Sequence, residues 1–220
     1  MRDFIVRIAV KLGIYHALVK WINRLKFEVM SRRMRRHGLD MLKAVGQVFD
    51  EAGGKAFLIC GTLLGAMREK GFISYDPDID LGVVADELPA DIHERMEAAG
   101  FHLQRRNYIR EPYQVVEETY IYRNLHLDIF FCIEEGDDWY IVTALPHETK
   151  EWKEANATDG FPTIRGYIPK TDFERIDFLG IRVWVPVKAH EWLCALYSDS
   201  YRTPIKNWNR KDYITRIVDA

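Results

Sequence analysis

The chain lacks the features that mark several whole classes of protein. Its three cysteines, Cys60, Cys132 and Cys194, lie far apart, which excludes the paired spacing of a zinc site or a redox motif. Each sits among apolar neighbours, so they read as core thiols in a reducing compartment. No charge-free run approaches the roughly 18 to 20 residues needed to span a bilayer. Nor does an uninterrupted apolar block with a small-residue cleavage site mark a signal peptide. Internal repeats, low-complexity tracts and an obvious linker are also missing, which argues against an array of domains. His93, His102, His126, His147 and His190 are scattered without metal-ligand spacing.

What is present suits one globular domain with an appendage. At 220 residues and 48% hydrophobic content, the chain is long and apolar enough to bury a real core. Its net charge of −2 conceals an asymmetry: ten Lys/Arg stand against two Asp/Glu through His37, a balance of +8, leaving −10 for the remainder. Residues 1–37 therefore read as a basic, apolar N-terminal helix, distinct from a domain over 38–220. Trp21 and Phe27 among arginines suit an anionic membrane surface. The apolar residues also go most of the way round the helix, so packing on the domain or on a second subunit is equally open. Nucleic acid is disfavoured, because no stacking aromatics accompany the cluster Arg32, Arg33, Arg35 and Arg36.

Past Gly38 the pattern alternates between helix and strand. Met41, Leu42, Val45, Val48 and Phe49 share a helical face, with Asp40 as its cap and Gly53-Gly54 as its stop. "KAFLIC" reads as a short buried strand, "GTLLGAMREKG" as a turn into a short helix, and "DIDLGVV" as a second strand. "ADELPADIHERMEAAG" predicts one capped helix. Strands are then expected at "FHLQRR", "YQVVEETYIYR", "LHLDIFFCI" and "DWYIVTAL". Two more turn at Leu179-Gly180, before a helix over "AHEWLCALYS". The fold class is α+β (α/β), a small mixed sheet flanked by helices.

Two acids interrupt the apolar run "DIDLGVV". Residues two apart in a strand share a face, so Asp78 and Asp80 project together, about 7 Å apart at the backbone. Such like charges repel unless a cation, an ion pair or a proton intervenes. A divalent cation such as Mg²⁺ is commonly held by one or two carboxylates plus substrate phosphate oxygens. Asp128, alone in "LHLDIFF", completes the cluster if its strand is adjacent. Upstream, Gly61-Thr62 open a helix whose first N–H groups can hold phosphate, with Arg68 and Lys70 placed to neutralise a leaving phosphate. His126 shares a strand face with Asp128 and is a further candidate for catalysis or phosphate binding.

This order of parts resembles the nucleotidyltransferase fold superfamily. More closely, it resembles the LicD family, the group containing bacterial phosphocholine transferases and related to the fukutin proteins. Members read Gly-Thr-Leu-Leu-Gly-Ala-x-Arg-x-x-Gly-Phe-Ile-Pro-Trp-Asp-Asp-Asp-Ile-Asp. The likeness runs through Gly61, Thr62, Leu63, Leu64, Gly65, Ala66, Arg68, Gly71, Phe72, Ile73, Asp76, Asp78, Ile79 and Asp80. "LHLDIFF" and the closing "FLGIRVWVPVKAHEWLCALYSDSYRTP" extend it, so the resemblance covers about Leu39 to Pro204. Ser74, Tyr75, Pro77 and Ser198 depart from the family's pattern.

The resemblance implies a metal-dependent phosphotransferase. It would move a phospho-alcohol, phosphocholine or a polyol phosphate, from a CDP-activated donor such as CDP-choline or CDP-ribitol to a hydroxyl of a cell-surface glycan or its lipid-linked precursor, releasing CMP. Asp78, Asp80 and Asp128 would be its catalytic residues, with Asp78 and Asp80 holding Mg²⁺ or Mn²⁺ as cofactor and Asp128 either binding a second metal or drawing the proton from the acceptor hydroxyl. Gly61, Thr62, Arg68, Lys70 and His126 would meet substrate phosphates. The location implied is cytoplasmic, at the inner membrane face. A choline donor would want an aromatic cage, for which the tyrosines of "YQVVEETYIY", Trp139, Tyr140, Trp152 and Tyr167 are candidates beside a role in strand packing. The alternatives are a conventional nucleotidyltransferase using a nucleoside triphosphate and a non-catalytic binding protein retaining the fold. Oligomeric state is open.

Overall fold

A computed structural model of the chain describes residues 15–109, 113–144 and 163–205. The first element among these residues is helix α1, Tyr15–Glu51, of 37 residues, or about 55 Å at 1.5 Å per residue. The expected start at Gly38-Asp40 does not occur: Gly38 is buried mid-helix, and Asp40 is an exposed mid-helix residue rather than a cap. A lone glycine costs a helix only about 1 kcal/mol, and packing outweighs it here. A Cβ at position 38 would lie 3.4 Å from the Phe72 ring and would crowd Met34. Residues 37 and 38 thus lie inside one element. α1 ends where the sequence predicts, with Gly53 at a φ of 73° and the Gly54 N–H returning to the Phe49 carbonyl at 2.9 Å, a glycine C-cap.

Nine strands follow among the described residues: β1 (Phe57–Leu58), β2 (Asp78–Val84), β3 (His102–Ile109), β4 (Gln114–Tyr122), β5 (Leu125–Glu135), β6 (Asp138–Ala144), β7 (Thr163–Pro169), β8 (Phe173–Phe178) and β9 (Ile181–Pro186). Their order is β3-β4-β5-β2-β1-β9-β8, with β6 paired to β5 and β7 to β6. β2 runs parallel to β5 and β1 parallel to β9, while the other pairs are antiparallel. The fold is α+β with a mixed sheet, larger than the small one expected because β7 joins it. Among the described residues, three short α-helices flank it: α2 (Cys60–Arg68), α3 (Ile92–Ala98) and α4 (Ala189–Tyr197). The single helix expected over "ADELPADIHERMEAAG" is instead a 3-10 turn at Ala85–Glu87 and then α3. Pro89 lies between them, where it lacks an N–H to donate and restricts the residue before it.

Alternation along the central strands decides what faces where. Ile79, Leu81 and Val83 of β2 and Leu127, Ile129 and Phe131 of β5 point into the core. Met34, Met41, Val45 and Phe49 of α1 join the same cluster. The period of two then forces Asp78, Asp80, His126 and Asp128 onto the opposite face. Trp139 is core as well, stacked on Phe173 and edge-on to Trp192. Tyr140 and Tyr167 pack together in a second apolar cluster. Neither they nor Trp139 lines the cavity at the acids, so they form no cage there. Trp152 lies outside the described residues, as do His147 and the chain before Tyr15.

Candidate active site

The parallel pairing of β2 and β5 sets Asp78 against His126 and Asp80 against Asp128. Strand neighbours lie about 4.8 Å apart, so Asp128 joins Asp80 in one row across the sheet. The row continues through Thr119 of β4, opposite Asp128, to Arg105 of β3, opposite Thr119. The Thr119 hydroxyl donates to Asp128 Oδ1 at 2.6 Å, while Arg105 donates to Thr119 Oγ1 at 3.1 Å. An arginine has no acceptor and a hydroxyl has one hydrogen. The Thr119 proton therefore points at Asp128.

Asp80 is buried and held from two sides. The Gly61 N–H donates to Asp80 Oδ2 at 2.9 Å, and the Asp80 N–H donates to Thr62 Oγ1 at 2.8 Å. The turn that aims Gly61 is sharp: Cys60 has a φ of 46°, a left-handed conformation unusual for a non-glycine residue. Glycine is required next to it, because a Cβ at position 61 would fall 2.6 Å from Asp76 Oδ2 and 3.0 Å from Asp80 Oδ2. Gly61 and Thr62 thus act on the site by positioning a carboxylate. Thr62 is buried, and Gly61 alone of the two lines the cavity.

Asp76, Asp78 and Asp80 converge, with one carboxylate oxygen from each lying within 4.8 Å of the others. Such a hard oxygen set suits Mg²⁺ or Mn²⁺. Asp128 sits on the next strand, outside this trio and on the wall of the same cavity. The loop presenting Asp76 is fastened to α1: the Ser31 hydroxyl donates to the Tyr75 carbonyl at 3.0 Å, and Arg35 donates to the Ser74 carbonyl.

The acids open into a cavity of about 490 Å³, within the size range of small-molecule sites. Arg68 and the buried Glu117 also line it, and Phe27, Tyr75, Tyr197 and Tyr201 form an aromatic wall. Arg68 donates to the Tyr201 carbonyl at 3.1 Å and to Glu69 at 2.7 Å. Its Nε is buried with no hydrogen-bond partner among the described residues. Lys70 is exposed at the turn after α2, and His126 lies beside Asp78; neither is among the lining residues.

The family model described as LicD/FKTN/FKRP, nucleotidyltransferase domain, matches residues 53–188. The chain belongs to this family. Its LicD domain therefore contains the acidic trio, Asp128 and the turn at Gly61. Among curated relatives, the ribitol-5-phosphate transferase FKTN of Mus musculus is 27% identical over 179 residues, 80% of this chain and 36% of that protein. The FKTN proteins of Macaca fascicularis and Homo sapiens are each 24% identical, over 83% and 80% of this chain. The LicD chain spans about a third of the length of these relatives, 36% to 37%.

Several site residues escape a reading of the sequence alone. Asp76 stands two before Asp78, so its i, i+2, i+4 spacing with Asp78 and Asp80 was the available signal. Pro77 in the loop obscures it by suggesting a turn. Glu117 and Thr119 sit in an ordinary alternating strand, while Tyr197 closes α4 and Tyr201 lies in the turn after it, far from the motif. Only tertiary packing brings Glu117 and the two tyrosines to the cavity and Thr119 to Asp128.

Proposed function

We propose that the chain transfers a phospho-alcohol unit from a CDP-activated donor to a hydroxyl of a glycan or of its lipid-linked precursor, releasing CMP. The observation that carries this reading is the convergence of Asp76, Asp78 and Asp80 beside Asp128 in a cavity that also holds Arg68. Membership of the LicD family supports transfer chemistry. The names of the FKTN relatives favour ribitol phosphate over phosphocholine as the unit moved.

Each residue then has a role. Asp76, Asp78 and Asp80 would hold Mg²⁺ or Mn²⁺, which when bound supplies Lewis-acid neutralisation of pyrophosphate charge. Arg68 offers its buried guanidinium to a donor phosphate oxygen. Asp128, held through Oδ1 by Thr119, accepts the proton of the acceptor hydroxyl. That oxygen bonds to the phosphorus bearing the alcohol. The bond from this phosphorus to the bridging oxygen breaks, and its electron pair leaves with CMP.

The test is incubation with Mg²⁺ and, in turn, CDP-ribitol, CDP-glycerol, CDP-choline and nucleoside triphosphates, with nucleotide products separated by chromatography. Mg²⁺-dependent CMP release, with water standing in for the glycan hydroxyl, and a raised melting temperature are expected with CDP-ribitol. Pyrophosphate release from a triphosphate, with no response to any CDP-alcohol, would replace the proposal with nucleotidyl transfer. No response to any of these nucleotides would assign the chain a non-catalytic role.

A further inference from the structure

The first half of α1 carries a second apolar stripe that the described residues of the domain leave partly exposed. Leu18, Ile22, Leu25 and Val29 recur at spacings of four, three and four, with Trp21 beside them. At roughly 100° per residue they share one helical face. The buried residues Met34, Met41, Val45 and Phe49 project to the other side of the helix. Trp21 is 58% exposed, Ile22 37%, Leu25 40% and Val29 48%. Exposed Lys26, Arg32, Arg33 and Arg36 flank or continue the stripe, and Glu28 is the one acid between residues 15 and 37. No helix among the described residues is long and apolar enough to cross a membrane.

We infer that this stripe lies on an anionic lipid surface, with the helix in the plane of the headgroups. An apolar face edged by arginines is complementary in both respects to such a surface. A second copy of the helix fits it less well. Arg32 and Arg36 fall on the same stripe, so a parallel two-fold seam would bring like charges together after about two heptads, and an antiparallel one centred on the stripe would set them against its apolar start. The opposite side of this same half-helix carries Phe27, which lines the acidic cavity, while Ser31 holds the carbonyl of Tyr75. Lipid binding therefore brings the cavity to within about one helix diameter, roughly 10 Å, of the bilayer surface. A lipid-linked substrate would enter from there.

Flotation of the full chain with vesicles tests this without any substrate, so the result is readable whether or not the proposed transfer reaction holds. The chain is expected to float with phosphatidylcholine vesicles containing phosphatidylglycerol and not with phosphatidylcholine alone. Leu25→Asp with Val29→Asp should lower the bound fraction at least about tenfold, and Arg32→Glu with Arg36→Glu should do the same. These side chains face solvent, so circular dichroism and the melting temperature should stay unchanged in both variants. Failure of the wild-type chain to float with the anionic vesicles overturns the inference, as does undiminished flotation of the stripe variant. A soluble dimer that Leu25→Asp with Val29→Asp converts to monomer would reassign the stripe to a second copy.

Discussion

β4 carries two buried glutamates in succession, and they differ in how many other acids stand beside them. Glu118, on the core side, accepts from Arg106 Nε at 2.6 Å and from the Tyr120 hydroxyl at 2.8 Å, with His93 Nδ1 3.6 Å away. Glu117, on the other side, accepts from Asn107 Nδ2 at 2.5 Å and lies 3.5 Å from the Arg105 guanidinium, and it lines the cavity shared by Asp76, Asp78, Asp80 and Asp128. On one face a single acid meets a cation and two further polar partners. On the other, Glu117 has partners too, but four more acids share its cavity. A buried charge is tolerated when it is paired and hydrogen-bonded, so the Glu118 cluster suits a structural role. The cavity side concentrates negative charge around a space sized for a ligand, which suits a cation and its substrate.

Asp80→Asn should separate the two faces most sharply. The amide oxygen can still accept from Gly61, so the turn survives, while one charge of the trio is lost. Turnover with the responsive donor should fall about 10³-fold or more. The melting temperature should hold or rise as repulsion is relieved, and Mg²⁺ or Mn²⁺ binding by titration calorimetry should weaken. Unchanged turnover would remove the acidic trio from the mechanism.

Glu118→Ala should do the reverse. It strands Arg106 and the Tyr120 hydroxyl, but the Arg106 side chain is 37% exposed, so water softens the loss. Stability should fall by about 2 to 3 kcal/mol, read from urea unfolding, with KM for the donor unchanged. A large activity loss at unaltered stability would mean that the two faces are coupled.

This contrast marks the limit of what the sequence discloses. Strand alternation announces that Asp78 and Asp80 share a face, while Asp128 joins them only through the β2–β5 pairing; periodicity announces β2 to β6, β8, β9 and the core of α1. The continuity of α1 through Gly38 is hidden, because the glycine makes room for the Met34 side chain one turn earlier, packed into the core, with the Phe72 ring beyond it. β7 is hidden too. Gly166 interrupts "TIRGYIP", and its reason is the Leu196 side chain, 3.0 Å from where a Cβ would sit. Glu117 and Glu118 are adjacent and chemically identical in the sequence. What distinguishes them is register, since Arg106 is the partner of Glu118 across the β3–β4 ladder.

A smaller effect is expected at Thr119. Replacing it with valine keeps the shape and removes the donor to Asp128. The carboxylate stays in the row but loses its fixed orientation. kcat should fall about tenfold with KM for the donor and the melting temperature little changed. Thr119→Ser should restore most of the rate, which a packing defect alone would not allow.

The smallest effect belongs to Tyr120, on the paired side. Its single hydroxyl hydrogen goes to Glu118, so the contact of 2.9 Å with His93 Nδ1 is one in which the imidazole donates. Burial foremost, and then the adjacent Glu118 carboxylate, push the phenol's pKa well above its ordinary value. The folded state thus resists ionisation that the unfolded chain undergoes near pH 10 or about that value. A raised acid of this kind contributes stability that is complete below the unfolded pKa and is lost as pH rises beyond it. Tyr120→Phe should cost about 1 kcal/mol at neutral pH through the lost hydrogen bonds. Above about pH 10 the gap between variant and wild type should narrow, because only the wild type gains an ionising phenol on unfolding. Urea midpoints across that range measure it. Parallel curves would show that Tyr120 ionises as readily in the fold as outside it, and that the Glu118 side of the sheet is less closed than its hydrogen bonds indicate.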